Sequence, residues 1–312
     1  CSHRTAHKIF VADSSWGASK KKNIRIIKTF PDVNYDGNYS GTLSNLQKVA
    51  KALKKVKTPY CVLGADDDFT VLRAISNAIE FLDKNPDYSA VQGDYVSFYT
   101  KESSKGKDFF WKKIYSSRTI DDNKASARIK NLLSDYCPTF YSVQRTEILK
   151  KSFDETIKNT KDVDFAEILQ STLCLAYGKL RYIPMFYGAR ESILNSAGAK
   201  ARGFFGHIKD GTYERKYARF RECLARHIIR SDKIDKENAE RIINDSMSAY
   251  LMNNNTLLNR IRRISNTALP ESITTNLLKV YRAVAPQNKH KTIPSGHYMD
   301  LKTIRDHVIS YK

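Results

Sequence analysis

Three consecutive aspartates, Asp66-Asp67-Asp68, follow the short apolar run Tyr60-Cys61-Val62-Leu63. Gly64 and Ala65 leave little side-chain bulk before them. Adjacent carboxylates repel one another unless a cation neutralises them. Their hard oxygens suit Mn2+ or Mg2+, ions that typically bind one or two carboxylates together with substrate phosphates. Asp68 and Asp66 are the candidate metal ligands, and Asp67 can replace either because a triplet leaves the register open. The alternative is a solvated acidic turn or a helix N-cap. Asp13, after Ile9-Phe10-Val11-Ala12, can accept hydrogen bonds from a nucleobase or sugar, or serve as an ordinary turn residue. Arg190 can pair bidentately with a diphosphate, or form a surface salt bridge. His207, in Gly203-Phe204-Phe205-Gly206-His207, can complete a metal site or be incidental.

These residues need a scaffold that brings strand ends together. Ile9–Ala12, Ile24–Thr29, Tyr60–Leu63 and Ala90–Tyr99 read as strands, and Thr42–Lys57 and Val71–Leu82 as amphipathic helices. Alternating strand and helix predicts an α/β fold with a mixed, mainly parallel Rossmann-like sheet flanked by helices. In such sheets ligands bind beyond the carboxyl ends of the strands. Lys101–Lys124 is polar, with Phe109, Phe110, Trp111 and Tyr115 interspersed, and reads as a long loop. Its aromatics either stack on a sugar or anchor the loop to the core. Ala125–Leu133 and Ile168–Tyr177 read as helices, Gly178–Pro184 as a strand, and Gly188-Ala189-Arg190-Glu191 as a turn. After about Thr212 the pattern is helical and basic, with helices expected over Tyr213–Arg230, Ile234–Met252, Ser272–Val284 and Leu301–Ile309. The expected division is therefore 1–198, an α/β domain, and 199–312, a helical basic subdomain.

The chain has 312 residues, 53 Lys and Arg against 33 Asp and Glu, and a formal charge of +20, which predicts an anionic partner. Nucleic acid, an acidic membrane surface and phosphorylated substrates all satisfy that. No recognised nucleic-acid-binding module is present, which ranks nucleic acid low. Five scattered cysteines, none in a C-x-x-C pair, read as free thiols in a reducing cytoplasm. No run of about 18 apolar residues predicts a transmembrane helix.

The order V-A-D-S-S, loop, helix, T-P-Y-C-V-L-G-A-D-D-D-F, helix, N-P-D-Y-S-A-V-Q-G-D resembles nucleotide-sugar glycosyltransferases of the GT-A fold, most nearly the inverting family 2 type in a bacterial branch. The resemblance covers about the first 195 residues. It implies that Asp13 contacts the base, Asp66 lies towards the ribose and Asp68 binds the metal on the diphosphate of a UDP-, GDP-, CDP- or dTDP-linked sugar. It also implies a general base at the start of the helix after Asp162-Val163-Asp164-Phe165-Ala166-Glu167. Glu167 is the first choice and Asp164 the second. Asp162 and Asp164 are alternatively N-terminal helix residues favoured by the helix dipole. The implied activity is a metal-dependent, inverting transfer to a glycan or lipid-linked acceptor in polysaccharide biosynthesis. The enzyme would be cytoplasmic, with peripheral contact to an anionic inner-membrane surface or to flanking domains. The family usually opens with a further strand–helix unit bearing a P-x-Y-N-R-like segment, and this sequence starts at the next strand. That departure leaves open a catalytically inactive binding or assembly module. A nucleotidyltransferase would use a similar metal–diphosphate site.

Overall fold

The computed structural model describes residues 7–103, 106–115, 117–191, 203–253 and 298–310. The chain begins with β1 (Ile9–Ala12), α1 (Gly17–Ile27) and β2 (Val33–Asp36). β1 and β2 pair in parallel, Ile9 with Val33 through Ala12 with Asp36, joined by a helical crossover. α2 (Asn45–Leu53) follows, started by a capping box between Ser44 and Gln47, and buries Ala50 and Leu53. Then come β3 (Tyr60–Cys61), β4 (Asp68–Thr70), α3 (Leu72–Lys84), β5 (Tyr88–Ser103), β6 (Gly106–Tyr115), α4 (Ala125–Ser134), β7 (Val143–Arg145), α5 (Thr146–Asn159), α6 (Val163–Tyr177) and β8 (Lys179–Glu191). The described helices after it are α7 (Gly203–Lys209), α8 (Tyr213–Asp232), α9 (Lys236–Asn253) and α10 (Tyr298–Ser310).

The larger sheet has the order β3-β7-β5-β8-β4, with β6 also on β5. It is mixed, as expected, but not mainly parallel. Only β1–β2 and β5–β8 run parallel, whereas β3–β7, β4–β8, β5–β6 and β5–β7 are antiparallel. Strand–helix alternation predicts parallel pairing only when successive strands become neighbours. Here β3, β4 and β7 are short strands that run against their partners.

Three further expectations are corrected. Ile24–Thr29 belongs to α1 and the turn after it: three isoleucines amid helix-favouring Ala18 and Lys20–Lys22 do not make a strand. Much of Lys101–Lys124 is a hairpin arm rather than a loop. Phe109 and Trp111 are two apart and face inward, Phe109 stacking on Phe98 at 4.7 Å. Their role is to anchor, while Phe110 stacks on Tyr99 on the opposite face. Gly188–Glu191 continues β8 and is not a turn. The expected helix over Ser272–Val284 lies outside the described residues.

The helices after residue 199 do not stand apart from the α/β part. Ile129 and Leu133 of α4 and Phe165, Leu169 and Leu173 of α6 pack in one apolar cluster with Phe204, Phe220, Leu224, Ile228 and Ile243. α6 is apolar almost all round because it is covered on one side by α4 and α5 and on the other by α8. α10 packs on the large sheet, where Leu301 and Ile304 meet Val96, Phe98, Phe186 and Ala189.

Phe165 is fully buried and contacts the rings of Phe204, Phe220 and Tyr213. Phe165→Ala is expected to lower unfolding free energy by about 3–5 kcal/mol in chemical denaturation. A loss below 1 kcal/mol would show that α6 and α8 do not share this core.

Candidate functional site

The site forms where β4 begins opposite the end of β8, beside Tyr95 from the middle of β5. Arg190 is the penultimate residue of β8, and β4 runs antiparallel to it, so Asp68 lies directly opposite Arg190. The Asp68 side chain has no solvent exposure, and that of Arg190 is 41% exposed. Arg190 Nη2 donates to Asp68 Oδ2 at 3.2 Å, and Nε approaches both oxygens at 3.4 Å. The Tyr95 hydroxyl, from β5, donates to Oδ2 at 3.4 Å. Burial pushes the Asp68 carboxyl above its ordinary 3.8, and the Arg190 guanidinium opposes the shift. The guanidinium lies over the Tyr141 ring at 4.5 Å and the Tyr95 ring at 5.6 Å. Gly188 permits this packing: a β-carbon there would stand 2.7 Å from the Phe69 carbonyl and 2.9 Å from the Tyr95 ring.

Asp66 and Asp67 occupy the turn before β4. Asp66 is exposed and Asp67 half-buried, and among the described residues neither carboxylate is held by a hydrogen bond or ion pair. The triplet therefore divides. Its last member is committed to Arg190, while the first two face outward and fit a hard dication with phosphate oxygens.

Glu167 comes from the second turn of α6. The Tyr136 hydroxyl sits 3.4 Å from its Oε1. Glu167 reaches solvent, yet burial raises its carboxyl above the usual 4.5, the Tyr136 hydrogen bond lowering it again and the Asp164 charge raising it. The Tyr141 hydroxyl, raised chiefly by burial, also feels Arg190, Asp68, Asp67 and Glu167. Residues between 67 and 190 in sequence thus share one electrostatic neighbourhood.

Asp164 and His207 form a second group. Asp162 caps α6, its Oδ1 accepting from the amides of Asp164 at 3.1 Å and Phe165 at 3.2 Å. Asp164 Oδ2 accepts from the Gly203 amide at 2.9 Å and lies 3.2 Å from His207 Nε2. His207 is buried, with Lys216 Nζ 3.0 Å from Nδ1 and Asp162 Oδ2 3.0 Å from Nε2. A lysine donating to Nδ1 leaves the proton on Nε2, facing the carboxylates. Asp162, Asp164 and His207 could together hold a metal ion. The structure thus groups His207 with these two aspartates, not with the Asp66–Asp68 triplet. Burial and the neighbouring Asp162 charge raise the Asp164 carboxyl, while His207 works against the rise.

Asp13 lies just beyond β1, and Asp36 ends β2 at the same edge. Asp13 accepts from the Ser15 amide at 2.7 Å, the Ser15 hydroxyl at 2.9 Å, the Tyr35 hydroxyl at 2.7 Å and Asn23 Nδ2 at 3.2 Å. Burial alone would raise its pKa, but these hydrogen bonds bring it to about 2. Lysines gather here: Lys20 donates to the Gly37 carbonyl at 2.7 Å, Lys48 to Ser14 Oγ at 2.8 Å, Lys51 to the Asn38 carbonyl at 3.0 Å, and Lys55 pairs with Asp36. The sequence reading missed this basic rim. Its signal was Lys48, Lys51 and Lys55, spaced three and four apart on one face of α2 and the residues just after it. Tyr95, Tyr136 and Tyr141 were missed as well, and a lone tyrosine carries no spacing signal.

Two outcomes test this geometry. Arg190→Met strands the buried Asp68 carboxylate and should cost about 1–3 kcal/mol at neutral pH. A carboxyl raised above its unfolded value favours folding at low pH and loses that contribution as pH rises through its folded pKa. The variant's deficit should therefore shrink towards pH 3.8, the ordinary carboxyl value. A deficit independent of pH would overturn the pairing. Asp13 has the opposite sign: it stabilises above 3.8, and that contribution is lost as pH falls towards about 2. Asp13→Asn should flatten this acid limb in pH-dependent denaturation, and an unchanged limb would mean another carboxylate causes it.

No protein-family model matches this sequence, and no curated protein matches it. Solved structures do share its fold. S. aureus TarS 1–349 is 11% identical with a TM-score of 0.50, over 89% of this chain and 72% of that one. TarS 1–349 in complex with UDP-GlcNAc is 12% identical with a TM-score of 0.50, over 83% of this chain and 70% of that one. At this identity the likeness establishes a common α/β fold.

Proposed function

We propose that this chain is a nucleotide-sugar glycosyltransferase, a reading that deepens the likeness to TarS, a glycosyltransferase. One observation supports it: Asp68 and Arg190 pair across β4 and β8 with the Tyr141 ring against the guanidinium, in a fold shared with TarS, which was solved with UDP-GlcNAc. Asp13 and the lysine rim at Ser14, Gly37 and Asn38 take the nucleoside end of the donor. Asp66 and Asp67 would hold Mn2+ or Mg2+ on its diphosphate. When bound, that ion offsets charge growing on the departing nucleotide.

Arg190 has a protein duty in this reading. Its guanidinium neutralises Asp68 and presents its exposed side to the diphosphate. Glu167 is the general base: it takes the proton from an acceptor hydroxyl as the oxygen attacks the anomeric carbon, opposite the departing nucleotide. A carboxyl raised by desolvation suits that task, because a stronger base accepts the proton more readily. Such a transfer inverts the anomeric centre. The acceptor is a glycan or a lipid-linked sugar. No described helix is long and apolar enough to cross a membrane. The basic helices after residue 199 would supply the contact with a lipid-linked acceptor.

The deciding experiment is a thermal-shift panel of UDP, GDP, CDP and dTDP with and without Mn2+. A ligand at a hundredfold excess over Kd stabilises the native state by about 2.7 kcal/mol. One nucleotide should give a Mn2+-dependent shift that the Asp66→Asn/Asp67→Asn double variant loses. No shift with any nucleotide would sink the donor-site assignment. Glu167→Gln should keep that shift while turnover falls by roughly 10²–10⁴-fold. Full turnover in this variant would remove Glu167 from the chemistry.

A further inference from the structure

We propose that Cys223, His227 and Glu155 form a zinc site that ties α8 to α5 beside the end of α6, remote in role from the donor cleft and independent of the activity assigned above. Cys223 and His227 are four residues apart on α8, which places both on one face. Glu155 reaches them from α5, and a ligand atom of each residue lies within 4.8 Å of the others. His227 Nε2 is 2.7 Å from Glu155 Oε2, and Cys223 Sγ is 3.7 Å from the same oxygen.

Sulfur, imidazole nitrogen and a carboxylate oxygen on one small volume are a ligand set that zinc takes readily. Ligand bonds of 2.0–2.3 Å set tetrahedral edges of roughly 3.3–3.6 Å. The sulfur–oxygen separation already fits, and the nitrogen–oxygen contact needs to open by roughly 0.6 Å on that scale. Thiolate and carboxylate together carry two negative charges, which match the dication with a neutral imidazole. On binding, the Cys223 thiol proton leaves to solvent and no redox change occurs. The Tyr177 hydroxyl, at the end of α6, hydrogen-bonds the other Glu155 oxygen and fixes the carboxylate's orientation. Cys223 is fully buried, while the side chains of His227 and Glu155 are 19% and 26% exposed. The sulfur therefore faces the core and the open side admits the ion with a water as fourth ligand. Three helices of the shared core then meet at one metal.

The test uses the full chain, reduced and stripped with a chelator, then titrated with Co2+ and back-titrated with Zn2+. The other candidate cluster, Asp162, Asp164 and His207, has no sulfur. A thiolate-to-cobalt charge-transfer band therefore reports Cys223. Wild type should give that band with one equivalent of cobalt, and zinc should displace it. Cys223→Ser should abolish the band, His227→Gln should weaken binding about tenfold or more, and Asp162→Asn/Asp164→Asn should leave it intact. No band in wild type, or a band that survives Cys223→Ser, overturns the site. Should Cys223→Ser fail to fold, His227→Gln decides alone: cobalt binding as tight as wild type also overturns it.

Discussion

A buried carboxylate has to be answered by a charge, and in this chain Asp68 is answered by Arg190. The pair sits at opposed positions of two antiparallel strands, so the charge balance is fixed by sheet register. A slip of one residue would turn Asp68 to the other face and leave Arg190 among tyrosines alone. Much of the neighbourhood follows from this constraint. Gly188 keeps its small size so that Tyr95 and the Phe69 carbonyl can close on β8. Tyr95 and Tyr141 flank the guanidinium with their rings. Asp68 is occupied by this pairing, whereas Asp66 and Asp67 carry no hydrogen bond or ion pair among the described residues.

The sequence announced the elements better than their partnerships. α2, α3, α8 and α9 are legible from their apolar period, α6 from its apolar run, and β5 from the apolar and aromatic residues of Ala90–Tyr99. The direction of pairing was not legible, since short strands such as β3, β4 and β7 carry too few residues to show a neighbour. The hairpin arm of Gly106–Tyr115 was hidden because lysines crowd its sequence, while the inward alternation of Phe109 and Trp111 is brief. At the site, the clustering of acids at Asp66–Asp68 and Asp162–Glu167 was visible in advance. What the sequence could not give is which carboxylates face one another. Asp68 with Arg190, and His207 with Asp162 and Asp164, are contacts over long separations with no local periodicity.

The two acidic groups also differ in the way they are balanced. Asp68 meets a guanidinium that never deprotonates, so its pairing holds at every pH where the carboxylate is charged. Asp162 and Asp164 meet an imidazole and a lysine amine, arranged so that the lysine fixes the imidazole tautomer. The first arrangement is static. The second is built from hydrogen bonds to a ring nitrogen and an amine, and it lies at the start of the same helix that presents Glu167.

The placement of α10 has a kinetic side. Its Leu301 and Ile304 close the apolar face behind β5 and β8, and its His307 ring meets Phe69, the residue after Asp68. Arg73 and Asp300, 227 positions apart, form an ion pair at the same seam. Contacts of such separation cost loop entropy before they return any burial, and they form late in folding. During synthesis the strand bearing Asp68 emerges long before the helix that backs it. Until that helix arrives, one face of the sheet stays apolar and open to other chains.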